Sequence, residues 1–219
     1  MLVAQLIQTD YPTLHLSDRV SFALQLMDDY EIQDLPIVVE DVFVGCISKE
    51  DLLDSDDEAT IETLQSHFNQ HSVKKEEYFL TALKLLVDNS ASLIAVTNES
   101  KEYLGAITSF TLLEQLSIYV GSGEPGGIIV LEVERRNYSF GEISRLVETN
   151  DAFITQLNTY TEAETGLVIV SVRVNKVEIS DIIATFHRYE YVVRYYFGEE
   201  QYSNELKDNY NHLMAYLNV

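Results

Sequence analysis

The chain has 219 residues, 46% of them hydrophobic, with one cysteine and 36 acidic against 14 basic side chains, a net charge of −22. That apolar fraction is ordinary for a globular protein, and a lone cysteine excludes an internal disulfide or a multi-cysteine metal site. So acidic a chain disfavours nucleic-acid phosphates and anionic lipid, and no stretch reaches the ~18 to 20 apolar residues of a membrane span.

The start, MLVAQLIQTD, has no basic flank and no long apolar run, so it does not read as a signal peptide, and a cytoplasmic protein is the expectation. After Tyr11-Pro12, residues Leu14 to Leu16 read as a short extended piece. Ser17 can cap a helix in which Val20, Ala23, Leu24 and Met27 recur at helical spacing. LPIVV (35–39) and VFVGCIS (42–48) form a strand pair across a tight Glu40-Asp41 turn, and the short helix EDLL follows. Cys46 lies inside the second of these strands and reads as a buried thiol. A second copy of this order then begins. Val73 is extended, FLTALKLLV (79–87) is helical, and SLIAV (92–96) and YLGAITS (103–109) are strands. FTLLEQLSIYV (110–120) is a longer helix. Gly45 and Gly105 are 60 residues apart, as are Ser48 and Thr108, so the first 120 residues hold an internal repeat. The stretch between the copies is acidic and weakly helical around Ile61 to Phe68.

GSGEPGG (121–127) marks the clearest boundary, a flexible or tight linker. Beyond it the order becomes strand, helix, strand, strand, helix, strand. IIVLEVE (128–134) leads to a helix from about Ser139 to Thr149. AFITQLNTYTE (152–162) and GLVIVSVRV (166–174) form a pair, and VEISDIIATFHRYE (177–190) is the second helix, followed by YVVRYYFG (191–198). This is the split βαβ order of the ferredoxin-like class. Over the tail, Leu206, Tyr210, Leu213, Met214 and Leu217 predict an amphipathic helix that docks on its own chain, a dimer mate or another partner.

The stretches LPIVVEDVFVGCISKEDLL and SLIAVTNESKEYLGAITSFTLLEQL resemble a tandem pair of CBS domains, nucleotide-sensing modules of many enzymes, channels and transporters. Such domains end on a strand of the form G-h-h-T/S-x-x-D, with h apolar, and run into a helix. Gly45, Cys46, Ile47, Ser48 and Asp51 fill that form. In relatives that bind adenosine nucleotides the hydroxyl and the aspartate hold the ribose, so the resemblance gives those roles to Ser48 and Asp51. The chemistry is sound by itself, because one carboxylate can accept hydrogen bonds from both hydroxyls of a ribose. Helix capping asks for the same residues: Ser48 is a good N-cap and Asp51, three residues on, completes a capping-box-like arrangement. In the second copy Gly105 and Thr108 match the form, but Thr111 stands where the aspartate belongs. A threonine cannot grip two hydroxyls as a carboxylate does, so one good site per pair is the expected count. Bases that could meet a phosphate are few, Lys49 and Lys101 being the local ones, so AMP or adenosine is expected over ATP.

By element order and by IIVLEVERRNYSFGEISRLVE the C-terminal half resembles an ACT-type regulatory domain. Members that bind amino acids usually carry a glycine in the turn after the first strand, and here the turn is Arg135-Arg136-Asn137-Tyr138-Ser139. Ser139 reads as a helix cap with Glu142 completing the box. Arg135 and Arg136 could meet a carboxylate ligand or pair with neighbouring acids. Catalysis finds little support: His67 and His71 are four apart, but HFNQH lacks the glutamate of a zinc-hydrolase helix, and no nucleophile elbow or phosphate-cradling loop appears.

These readings give an α/β (α+β) chain: a first repeat over 1–58, a second over 59–120, a linker at 121–127, a ferredoxin-like βαββαβ domain over 128–200, and a C-terminal helix at 201–219. The expected function is non-catalytic. A regulatory protein would sense an AMP-like adenosine nucleotide through Gly45, Ser48, Asp51, Gly105, Thr108 and Thr111. It would need no metal or other cofactor and would form a homodimer, with a regulated protein as a further partner. The rival is an adaptor that dimerises without a ligand.

Overall fold

The computed structural model describes residues 1–198, so the expected helix at 201–219 lies outside the described residues. The chain divides into two compact units, Met1–Tyr119 and a second from Val120 onward.

In the first unit each copy of the repeat is a helix packed on a small sheet. Helix α1 (Val20–Asp29) turns Val20, Ala23 and Met27 into a core with β1 (Asp34–Val39) and β2 (Val42–Ser48), which pair antiparallel. The β1–β2 turn is Glu40-Asp41, both at positive φ (48° and 66°), the conformation of the two-residue hairpin turns that match strand twist. Helix α2 (Lys49–Leu53) closes the copy and buries Leu52. The second copy repeats this at the same spacing. Strand β3 (Ser72–Lys74) runs parallel to β4 (Leu93–Thr97), which pairs antiparallel with β5 (Tyr103–Thr108). Helix α3 (Phe79–Asp88) buries Phe79, Ala82 and Leu86, the spacing seen in α1, and α4 (Ser109–Tyr119) ends the unit. Leu14 makes a parallel bridge to Ile37, the counterpart of Val73 beside Val96.

Ser17 is not the cap of α1. The N-cap is Arg19, whose side chain makes no capping bond, and the first amides are satisfied by another segment: Val20 N donates to Ala59 O and Ser21 N to Asp57 O, both at 3.0 Å. The loop after α2 thus does what a capping hydroxyl would do.

The two copies exchange their leading segments. Ile61, from the stretch between the copies, sits in the core of the first, and Val3 and Leu6 sit in the core of the second. Backbone pairs fix both crossings. Cys46 and Asn69 exchange amide hydrogen bonds (2.7 and 2.9 Å), and so do Gln8 and Ala106 (2.9 Å each). The expected weak helix is a 3-10 segment, Ile61–His67, which leads into the first crossing. Between the copies, the Phe43 and Tyr103 rings stack at 6.5 Å over Cys46, Leu93, Ala95 and Ala106. Cys46 is the buried thiol expected, and burial pushes its pKa up, which makes it a poor nucleophile.

The second unit has β6 (Ile128–Val133), α5 (Phe140–Glu148), β7 (Ile154–Thr161), β8 (Val168–Val174), α6 (Ser180–Arg188) and β9 (Val192–Phe197). All pairings are antiparallel and the sheet order is β7-β8-β6-β9. Ile143, Leu146 and Val147 of α5 and Ile182, Ile183 and Phe186 of α6 share one core with Ile129, Leu131, Val170 and Val172 of the sheet. The end of the glycine-rich stretch is already tied into this unit, since Gly127 N donates to Lys176 O and Gly127 O accepts from Val174 N.

Candidate ligand-binding motifs

At the end of β2, Ser48 turns out of the strand with φ −87° and ψ 157° and caps α2: its Oγ accepts from the Asp51 amide at 3.2 Å. The same hydroxyl donates to Asp51 Oδ2 at 2.5 Å. The capping box expected here is therefore not reciprocal, because Asp51 takes the serine hydroxyl rather than the serine amide. Its other oxygen, Oδ1, lies 3.0 Å from His67 Nδ1, at the end of the 3-10 segment. The Asp51 side chain is 34% exposed. The Ser48 hydroxyl, and after it His67, hold its carboxyl below the usual range against an opposing push from partial burial.

The second copy keeps the geometry and changes the chemistry. Thr108 Oγ1 accepts from the Thr111 amide at 3.2 Å, and the two threonine hydroxyls are 3.0 Å apart. Thr111 Oγ1 then donates to Gln8 Oε1 at 3.2 Å. In each copy, then, the fourth residue of the turn is met by a side chain from the segment that crosses over, His67 in one and Gln8 in the other. The sequence reading missed both. In the sequence His67 stands out only as a pair with His71, but the 3-10 segment ends at His67, so no helix aligns the two. Gln8 lies about a hundred residues from its partner and carries no local signal.

The motif glycines have a different neighbour from the one expected of a ligand site. A Cβ on Gly45 would lie 2.8 Å from Phe68 Cβ and 3.2 Å from Asn69 O. One on Gly105, at φ 137°, would lie 2.5 Å from Gln8 O. Both glycines make room for the crossing backbone of the chain itself. Neither expected phosphate partner is placed for the task. Lys49 Nζ is 2.5 Å from Asp28 of α1. Lys101 sits in the β4–β5 turn at the far end of β5 from Thr108, about 20 Å off by strand rise.

In the second unit, Ser139 caps α5 by accepting from the Glu142 amide at 3.3 Å, but the Glu142 carboxylate does not return the bond; it accepts from Tyr191 O–H at 2.9 Å. The buried Tyr191 is pushed up to about 12, first by desolvation and then by that carboxylate. Arg136 pairs with Glu134 at 2.7 Å within its own turn. These groups line a cleft of about 590 Å³ that also takes in Glu132, Tyr138 and Glu190, a setting that repels a ligand carboxylate. Among the described residues no group of three or more histidine, cysteine or acidic side chains could hold a metal ion, and no helix is long and apolar enough to cross a membrane.

The family model described as the CBS domain matches residues 3–58. Those residues are a CBS domain. A CBS domain pair/ACT domain protein from Thermotoga maritima is 24% identical with a TM-score of 0.50, over 55% of this chain and 99% of that one. The CBS domains of a transcriptional regulator from Streptococcus pneumoniae are 18% identical with a TM-score of 0.47, over 52% and 98%. CBSX2, solved in complex with AMP, is 17% identical with a TM-score of 0.46, over 54% and 98%. The Thermotoga likeness is one of fold, that of a CBS domain pair. In the CBS domain of residues 3–58, Gly45 to Asp51 is the closing strand-to-helix turn, and His67 reaches it from beyond the matched residues.

Proposed function

We propose that this is a non-catalytic regulatory protein whose first CBS domain binds an adenosine nucleoside or its monophosphate, with Asp51 gripping the ribose diol and Ser48 orienting the carboxylate. The observation that carries this reading is the Asp51 carboxylate itself. It is ionised, part-exposed at the end of β2, and aligned by a 2.5 Å bond from Ser48, the arrangement that a vicinal diol recognises. Gly45 and Gly105 serve the site by letting the crossing segments lie close, rather than by touching ligand. Thr108 and Thr111 make at most a weak second site. The βαββαβ order and the sheet order of the second unit support a ferredoxin-like domain of ACT type, and its acidic cleft argues against an amino-acid carboxylate there. The outward apolar side chains of α4, Phe110, Leu113 and Ile118, support a homodimer.

A second reading has its own observation. Both motifs are already satisfied internally, Asp51 by Ser48 and His67 and Thr111 by Thr108 and Gln8, so an adaptor that dimerises without a ligand also fits. Calorimetric titration of the full chain with AMP and with adenosine separates the two. Saturable binding of about one molecule per chain supports the sensor; no heat from either up to millimolar concentration leaves the adaptor.

A further inference from the structure

His67 holds the Asp51 oxygen that a ribose hydroxyl would also have to take. Its ring is delivered there by backbone that cannot easily move: the segment ends in the Cys46–Asn69 pair of hydrogen bonds, and Phe68 lies on the face of Gly45. The ring itself is about half exposed, so it can rotate off the carboxylate without disturbing the core. Ser48 takes Oδ2 and His67 takes Oδ1, so both oxygens of Asp51 are engaged before any diol arrives. Asp51 is the only acid within 4 Å of the His67 ring among the described residues. Lys49 of α2 is paired with Asp28, and Glu50 of α2 and Glu62 of the 3-10 segment lie beyond ion-pair distance from the ring.

We propose that His67 is an intramolecular lid on the Asp51 carboxylate, a contact that a nucleoside must displace and that acid strengthens. The inference rests on the nucleoside reading above. An imidazole gains its proton across the range from pH 7.5 to 5.5. Protonation turns a neutral N–H···O⁻ bond into an ion pair, and the ribose hydroxyls, which carry no charge, then compete less well for Oδ1. The pair is part-exposed, so the change is modest, about two- to fivefold in affinity. In the second copy Gln8 holds the equivalent position and carries no proton to gain or lose, so that contact is indifferent to pH.

The test uses adenosine, which has no phosphate to titrate near pH 6. The full chain, His67→Ala and His67→Gln are titrated by calorimetry at pH 7.5 and 5.5, with melting curves alongside. The unmodified chain should bind about two- to fivefold more weakly at pH 5.5. His67→Ala should bind more tightly than the unmodified chain, and equally at both pH values. His67→Gln keeps a neutral donor and every other histidine, so it should lose the pH dependence while changing affinity little; it also stands in if the alanine variant melts early. Binding by His67→Ala alone would support the lid in its strongest form. A flat profile in the unmodified chain, or weaker binding by His67→Ala at both pH values, would overturn the lid and leave the nucleoside site standing. No binding by any of the three would overturn the nucleoside reading and the lid with it.

Discussion

The two copies of the repeat fold alike and differ in one turn. In the first, Ser48, Asp51 and His67 form a charged chain of hydrogen bonds; in the second, Thr108, Thr111 and Gln8 form a neutral one with the same connectivity. The fold asks the fourth residue to be polar, close to the preceding hydroxyl and in touch with a crossing segment. It does not ask for charge. The carboxylate of Asp51 is thus an addition to a scaffold that the second copy completes without it, and that surplus is what points to a ligand.

The comparison can be broken most forcefully at the glycines, where the copies differ in backbone conformation. Gly105→Ala adds a strained φ to a 2.5 Å collision with Gln8 O, and about 3 to 5 kcal/mol of destabilisation is expected. Gly45→Ala meets Phe68 Cβ at 2.8 Å without that strain and should cost about 1 to 3 kcal/mol. Denaturant melts of both variants give the order; equal losses would mean that the crossing segments yield more easily than the distances imply.

At the motifs, Asp51→Asn should lower affinity for AMP about tenfold to 100-fold, the worth of roughly 1.5 to 3 kcal/mol for a hydrogen bond to a charged group. Thr111→Asn should change it by less than about twofold. Equal losses at the two positions would erase the asymmetry, and a loss of stability without any effect on binding would reduce the first motif to a helix cap. A smaller contrast concerns the ligand. Residues 1–120 carry 21 acids and 6 bases, so AMP or adenosine should bind a few-fold better than ATP at low salt, where screening does not hide the difference. ATP binding tenfold tighter than AMP would refute this.

The smallest effect is on acid stability. The Asp51 carboxyl is held below its usual value, so its contribution to folding is present above the unfolded value of about 3.9 and is lost as pH falls through the lower folded one. Asp51→Asn should therefore flatten the acid limb of a stability curve slightly, below about pH 4. No variant of Thr111 that stays uncharged should do so.

Periodicity made most of this fold legible. Val20, Ala23 and Met27, and again Phe79, Ala82 and Leu86, mark the helix faces, and alternating apolar runs mark the strands. The 60-residue spacing of Gly45 and Gly105 exposed the repeat. What sequence could not show was the exchange of leading segments, since nothing local in MLVAQLIQ says that it belongs with strand β5. The same gap hid His67 and Gln8, which act on residues 16 and 103 positions away. Ser17 failed as a cap for a related reason: a backbone carbonyl from another segment can serve an orphan amide as well as a hydroxyl can, and carbonyls leave no mark in composition.

The exchange of segments also sets a timetable for synthesis. Gln8 pairs with Ala106, and Val3 and Leu6 fill a core that is otherwise built from residues 73 to 112. At translation rates of about 5 to 20 residues per second, the nascent N-terminal segment waits roughly 5 to 20 s for its partner to leave the ribosome. The first copy is placed sooner, because Ile61 and Asn69 follow soon after the strands they join. During that interval three apolar side chains, Val3, Leu6 and Ile7, have no native seat, and a nascent-chain chaperone has its clearest opportunity there.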